Sequence, residues 1–182
     1  MTKLNKNIFE SALQKTARTI SSKYDVDIIF DGNKVEEATP SARGKTITLP
    51  STVDLLEEKD QKLLSGFLDH ELGHVMFTDW KELEAAFKDK NDPELKISHT
   101  LWNMLEDISI EKKMQDMYPG VSENLDFMHK AMLDKNADMI AKIPENGRPK
   151  DGSFGKVLHS LIMYGASGFI FDHPVFNGLS EE

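Results

Sequence analysis

The chain has 182 residues, 39% of them hydrophobic and 29% charged, with a formal net charge of −9 and no cysteine. That is enough apolar side chain for one globular domain, or one domain with an appendage. The acidic balance and the dispersed lysines and arginines argue against a nucleic-acid surface, and the absence of thiols leaves His, Asp and Glu as the available metal ligands.

The first residues, Met1-Thr2-Lys3-Leu4-Asn5-Lys6, contain no apolar signal-peptide core, and no run reaches the length of a membrane span. The expectation is a cytoplasmic protein of a bacterial cell or an infected host, with no membrane partner. Residues 4–23 repeat Leu4, Ile8, Phe9, Leu13, Ala17 and Ile20 in helical steps. Val26-Asp27-Ile28-Ile29-Phe30 reads as a strand closed by the turn residues Asp31-Gly32. Residues 33–43 read both ways, as a pairing segment from Lys34 to Ala38 or as a loop around Pro40, Ser41 and Gly44. Lys45-Thr46-Ile47-Thr48-Leu49 alternates as a strand and stops at Pro50. A small N-terminal sheet of two or three strands follows. Its last strand is expected to be an edge that pairs with an extended substrate backbone; a plain structural strand is the other reading.

No proline falls between Pro50 and Pro93, so a long helix is predicted over residues 60–89, bent near Thr78-Asp79. Leu64, Phe67, Leu68, Leu72, Val75 and Met76 form its buried stripe. Beside that stripe lies His70-Glu71-Leu72-Gly73-His74, an H-E-x-x-H sequence. Two imidazoles four residues apart on a helix share one face and can bind one Zn²⁺, and the glutamate between them can serve as base to a metal-activated water.

Two histidines leave a tetrahedral zinc short of one protein ligand. The next predicted helix, Ile97 to Met117, offers one. Its core stripe is read as Ile97, Leu101, Met104, Leu105 and Ile108, with His99, Trp102, Asn103, Glu106, Ile110 and Lys113 on the adjoining face. Glu106 at the edge of a buried surface needs a partner, which a metal would supply. Asp107 and Glu111 are rivals for that role, or hydrogen-bond partners of the ligating histidines. His99 is a further alternative.

Tyr118-Pro119-Gly120 marks a turn, residues 122–142 a helix, residues 143–153 a loop, and Phe154–Tyr164 another helix before a glycine-rich tail. His129, His159 and His173 are scattered over this half, and one of them, or Tyr118 or Tyr164, could supply an oxyanion donor. The expected organisation is a metallopeptidase core at 1–117 and a helical extension at 118–182. The expected fold class is α+β, mostly helical with a small N-terminal sheet.

Three blocks of residues carry a family resemblance: Gly44-Lys45-Thr46-Ile47-Thr48-Leu49-Pro50, then Gly66 to Trp80 around His70-Glu71-Leu72-Gly73-His74, then Asn103-Met104-Leu105-Glu106-Asp107-Ile108-Ser109-Ile110-Glu111. In this order they resemble the GKxIxLP, DHExxHxxFTD and NxLEDxRIE elements of the zincin-like metallopeptidase segment of CobT-type cobaltochelatase subunits and related bacterial and phage proteins, which often precedes a von Willebrand factor A domain. The resemblance covers about residues 20–115. It implies His70 and His74 as zinc ligands, Glu71 as catalytic base and Glu106 as third ligand. It also implies an AAA+ ATPase or a von Willebrand A domain as partner. Two departures stand out: Ser109 replaces the family's usual arginine, and Asp151-Gly152-Ser153-Phe154-Gly155 is not the D-x-S-x-S of a von Willebrand domain.

Two functions therefore compete. The first is a zinc metallopeptidase acting on a protein or peptide. The second is a non-catalytic, zinc-stabilised interaction module serving an AAA+ ATPase or an assembly partner. The glutamate between the histidines favours the first, since a purely structural zinc site has no need of a base.

Overall fold

The computed structural model describes residues 6–21, 26–30, 41–43, 45–50, 57–88 and 93–142. Among them are five helices and three strands, an α+β arrangement that is mostly helical: α1 (Lys6–Ile20), β1 (Asp27–Phe30), β2 (Ser41–Arg43), β3 (Thr46–Leu49), α2 (Glu58–Phe77), α3 (Trp80–Ala86), α4 (Pro93–Met117) and α5 (Pro119–Lys142). The predicted loop at 143–153, the helix at 154–164 and the tail, with His159, Tyr164 and His173, lie outside the described residues. No described helix is long and apolar enough to cross a membrane.

The sheet has the order β1-β3-β2. β1 runs parallel to β3, pairing Ile28 with Ile47, and β2 runs antiparallel on the other side, pairing Ala42 with Ile47. This corrects the expectation that the Lys45–Leu49 strand is an edge. A central strand commits its backbone groups to neighbours on both sides and has none left for a substrate chain. The reason for the misreading is local: β2 spans only three residues, too few to show alternation. The outer side of β1 is itself partly closed, because the Gln14 side-chain amide of α1 donates to the Val26 carbonyl at 2.7 Å and accepts from the Ile28 N–H at 3.1 Å.

The helix α2 is the centre of the fold. Ile47 and Leu49 of β3 and Leu13 and Ala17 of α1 share one buried cluster with Leu64, Phe67, Leu68, Leu72 and Val75 of α2, and with Val121, Leu125 and Met128 of α5. From Leu64 to Val75 nearly every residue of α2 is buried, Asp69, Glu71 and His74 included. Glu58 and Asp60 in its first turn suit the positive end of the helix dipole. It ends where Thr78 turns extended, its N–H bonded to the His74 carbonyl at 3.1 Å. Asp79 then starts α3, its carboxylate accepting the Glu82 N–H at 3.0 Å, an N-cap with an acid at the third helical position. The long helix predicted at 60–89 is thus two helices, divided at the predicted bend.

Two further expectations are corrected. Pro119 does not close a turn but opens α5 at a position where its missing N–H costs nothing. On α4, Leu105 is 69% exposed, whereas Ile110, Glu111 and Met114 are buried. The face of α4 turned inward carries Asp107, Ile110, Glu111 and Met114, one turn-step round from the predicted stripe. The longer runs of apolar residues earlier in the helix masked it.

Glycine sets the helix spacing. A Cβ on Gly66 would lie 2.6 Å from the Asn124 carbonyl oxygen, and one on Gly73 would lie 3.2 Å from Ile110 Cδ1. The close approach at Gly66 lets Asn124 donate to Asp69 Oδ2 at 2.8 Å. Burial pushes the Asp69 carboxyl up to about 6, against the lowering effect of that bond. A folded pKa above the unfolded value of 3.8 means that stability is fully present below pH 4 and is lost as pH rises through about 6. Asp69→Asn removes the charge and keeps an acceptor for Asn124. We expect it to stabilise the protein at pH 7.5 by about 1–2 kcal/mol, less than the roughly 3 kcal/mol of the full shift because the bond loses its ionic character. Urea midpoints of both proteins at pH 5 and 7.5 check this; the gain should shrink at pH 5.

The chain divides into two units, Met1–Met128 and His129–Glu182. All residues of the site described below belong to the first.

Candidate metal centre

Residues 70 and 74 are one turn apart on α2, and their imidazole centroids lie 5.0 Å apart. Each ring is anchored through Nδ1. His70 Nδ1 lies 2.7 Å from Glu111 Oε1, and His74 Nδ1 lies 3.1 Å from Thr78 Oγ1. With Nδ1–H donating to those oxygens, each ring in its neutral form keeps its lone pair on Nε2, the tautomer a metal ligand requires. Both Nε2 atoms face Asp107 Oδ1, at 3.9 Å from His70 and 3.2 Å from His74. That oxygen is buried and has no hydrogen-bond partner among the described residues.

Donor atoms of His70, His74 and Asp107 all lie within 4.8 Å of one another. Tetrahedral ligands about 2.0–2.1 Å from a zinc are about 3.4 Å apart. The residues present therefore fit a divalent cation, with the His70 ring needing only a small approach. The helix packing makes this possible: Gly73 meets Ile110 and Met114 directly, which brings α4 close enough for the short aspartate to reach the histidines.

Glu106 stands on the other side of His74. Its Oε2 lies 3.8 Å from His74 Nδ1, and its carboxylate hydrogen-bonds Thr78. His74 Nδ1–H, the Thr78 hydroxyl and Glu106 thus form a chain that holds the ring. Burial raises the Glu106 carboxyl, and the Thr78 bond and the His74 charge pull against that rise. Glu71 is buried, and its charge acts on His70. Burial lowers the His70 pKa, but the Glu111 bond and the charges of Glu111, Glu71 and Asp107 outweigh it and raise the ring to about 9. In the metal-free protein this proton competes with a metal, so binding releases it.

The structure brings together six of the residues singled out in the sequence, His70, His74, Glu71 and Glu106 together with the rivals Asp107 and Glu111. Of these, Asp107 occupies the point where both Nε2 atoms converge. The signal for it is the i, i+4 pair Asp107 and Glu111 on the same helical face as Ile110 and Met114. His99 is exposed and packs against the rings of Phe87 and Trp102, with centroids 4.9 and 6.4 Å away. The Tyr118 hydroxyl donates to the Ile20 carbonyl at 3.1 Å and serves the fold. His129 belongs to the second unit.

A family model described as Cobalamin biosynthesis protein CobT matches residues 4–146. No curated protein and no solved structure matches the chain. The match corrects part of the sequence-based expectation. It names a cobalamin biosynthesis protein, and it lends no support to a hydrolase, a protease or a zincin-type metallopeptidase. The match spans all three motif blocks and every residue of the metal-centre geometry, and well over half of the chain. This chain belongs to the CobT family.

Proposed function

We propose that this chain binds one zinc ion between α2 and α4 through His70, His74 and Asp107, and that the clamped helix pair is the core of a CobT-type assembly module that works beside an AAA+ ATPase. The observation that carries the reading is the orientation of both rings: each Nδ1 is held by an oxygen, and each Nε2 is turned toward the buried Oδ1 of Asp107, which has no donor among the described residues. Electrostatics supports it. Glu71, Glu106, Asp107 and Glu111 all crowd the two imidazoles in buried or half-buried positions, and buried carboxylates call for a counter-charge. A bound Zn²⁺ supplies that fixed positive charge and Lewis acidity. Glu111 and Thr78 hold the rings in place, and Glu106 supports Thr78.

Elemental mass spectrometry of the purified protein tests the metal. The expected result is about one zinc per chain, absent in His70→Ala, with a melting temperature that falls on chelation and recovers when zinc is restored. Protein that stays zinc-free after reconstitution overturns the reading. The partner is tested by size-exclusion chromatography with a CobT-type AAA+ ATPase. Co-elution of the zinc-loaded chain, lost in His70→Ala, supports the assembly role, and separate elution of the zinc-loaded chain removes it.

A further inference from the structure

A second feature lies beside this centre. A cleft of about 540 Å³ opens between α3 and α4. Its apolar walls include Leu83, Phe87, Trp102 and Leu105, and Leu105 is 69% exposed there. So large a leucine left uncovered by the described residues, beside two aromatic rings, offers contact area for a partner. Among the described residues, the charged groups around these walls are unbalanced: Asp79, Glu82 and Glu106 against Lys113. Glu106 Oε2, on the His74 side of this carboxylate, is buried and has no hydrogen-bond donor among the described residues.

We propose that this cleft receives an arginine side chain from an extended segment of a partner protein, with its stem along Trp102, Phe87 and Leu105 and its guanidinium between Glu82 and Glu106. Three features select this ligand class. Aromatic and aliphatic walls suit the flat, weakly hydrated guanidinium and its carbon stem better than a compact ammonium. The carboxylate excess disfavours an anion, which would sit beside Glu82 and Glu106 with Lys113 as the one cation among the described lining residues. The wall already accepts a cation, since Lys113 Nζ lies over the Phe77 ring at 5.4 Å. A chain of net charge −9 also attracts basic partners at long range. The inference does not need a metal: Glu82 and Leu105 are not among the groups that hold the zinc ligands.

The test is nuclear magnetic resonance titration of the full chain with N-acetyl-leucyl-arginine amide, alongside the isosteric citrulline peptide and the glutamate peptide. Amide shifts should be confined to α3 and to residues 102–113 of α4. The arginine peptide should bind at least about tenfold more tightly than the citrulline peptide, the size expected of a charge-assisted hydrogen bond. Glu82→Gln and Leu105→Ala should each weaken it about five- to tenfold while zinc content stays unchanged. Leu105 is exposed, so its replacement leaves the fold intact. Equal binding of the arginine and citrulline peptides overturns the proposal in favour of a purely apolar cleft. Tighter binding of the glutamate peptide reassigns the cleft to anions. Concentration-dependent shifts of the same residues without peptide assign it to a second copy of this chain. No shifts in α3 and α4 remove it. Loss of zinc binding in His70→Ala with the peptide shifts retained would separate this result from that of the metal centre.

Discussion

Asp107→Ala should lower the affinity for the proposed Zn²⁺ at least about 100-fold, and Glu106→Ala should lower it about tenfold. The order of the two effects is the informative part, because the residues are adjacent in sequence and both are acids. On a helix they point about 100° apart. That angle sends Asp107 Oδ1 to the Nε2 atoms of both histidines and Glu106 Oε2 to the Nδ1 side of His74. Removing Asp107 deletes a donor atom. Removing Glu106 leaves the donors in place and loosens only the Thr78 bridge that orients one ring. Glu111→Gln, which keeps a hydrogen-bond acceptor for His70 but drops the charge, falls with the weaker group. Competition titration against a chelating dye at pH 8 measures all three. If Glu106→Ala proves the more damaging, the third ligand is Glu106, and the α4 helix must turn when the metal binds.

The sequence carried some of this and hid the rest, for identifiable reasons. His70, Glu71 and His74 were legible because their spacing has meaning on a helix wherever that helix sits. The helix itself was legible from six apolar residues and the absence of proline, while the Asp79 cap that divides it at Thr78 emerged only in the structure. Choosing between Glu106 and Asp107 required the rotation of α4 about its own axis. That rotation is set by the contact of Gly73 with Ile110 and Met114, a long-range fact that hydrophobic periodicity does not contain. Leu101, Met104, Leu105 and Ile108 pointed to a different face, and Leu105 turned out to be exposed. The sheet followed the same rule: β1 and β3 were readable from alternation, while the central position of β3 depended on a three-residue partner.

Gly66→Ala should destabilise the protein by about 2–4 kcal/mol, although alanine favours a helix over glycine by about 1 kcal/mol. The methyl group would lie 2.6 Å from the Asn124 carbonyl oxygen and 2.7 Å from Met128 Cβ. One contact is backbone and the other is the root of a side chain, so neither can swing aside. The helices must separate, an overpacking cost of roughly 1–3 kcal/mol. Separation also stretches the 2.8 Å bond from Asn124 to Asp69, leaving a buried carboxylate short of a donor at a further cost of about 1–3 kcal/mol. For a chain of this size the melting temperature should drop by about 5–15 °C. Gly73→Ala makes the opposite pattern. Its methyl meets Ile110 Cδ1 at 3.2 Å and Ile110 Cβ and Met114 Cγ at 3.3 Å, contacts that a few tenths of an ångström of movement of α4 relieves, so the helix-propensity gain leaves stability within about 1 kcal/mol of the parent. The small displacement of α4 instead moves Asp107 away from the two histidines, and zinc affinity should fall by about tenfold. Calorimetry and zinc titration of the two variants therefore separate the two roles of glycine in α2. At Gly66 it lets the core close, and at Gly73 it lets the metal ligands meet. If Gly73→Ala unfolds the protein while zinc affinity in the folded fraction is unchanged, the contact between α2 and α4 serves packing alone.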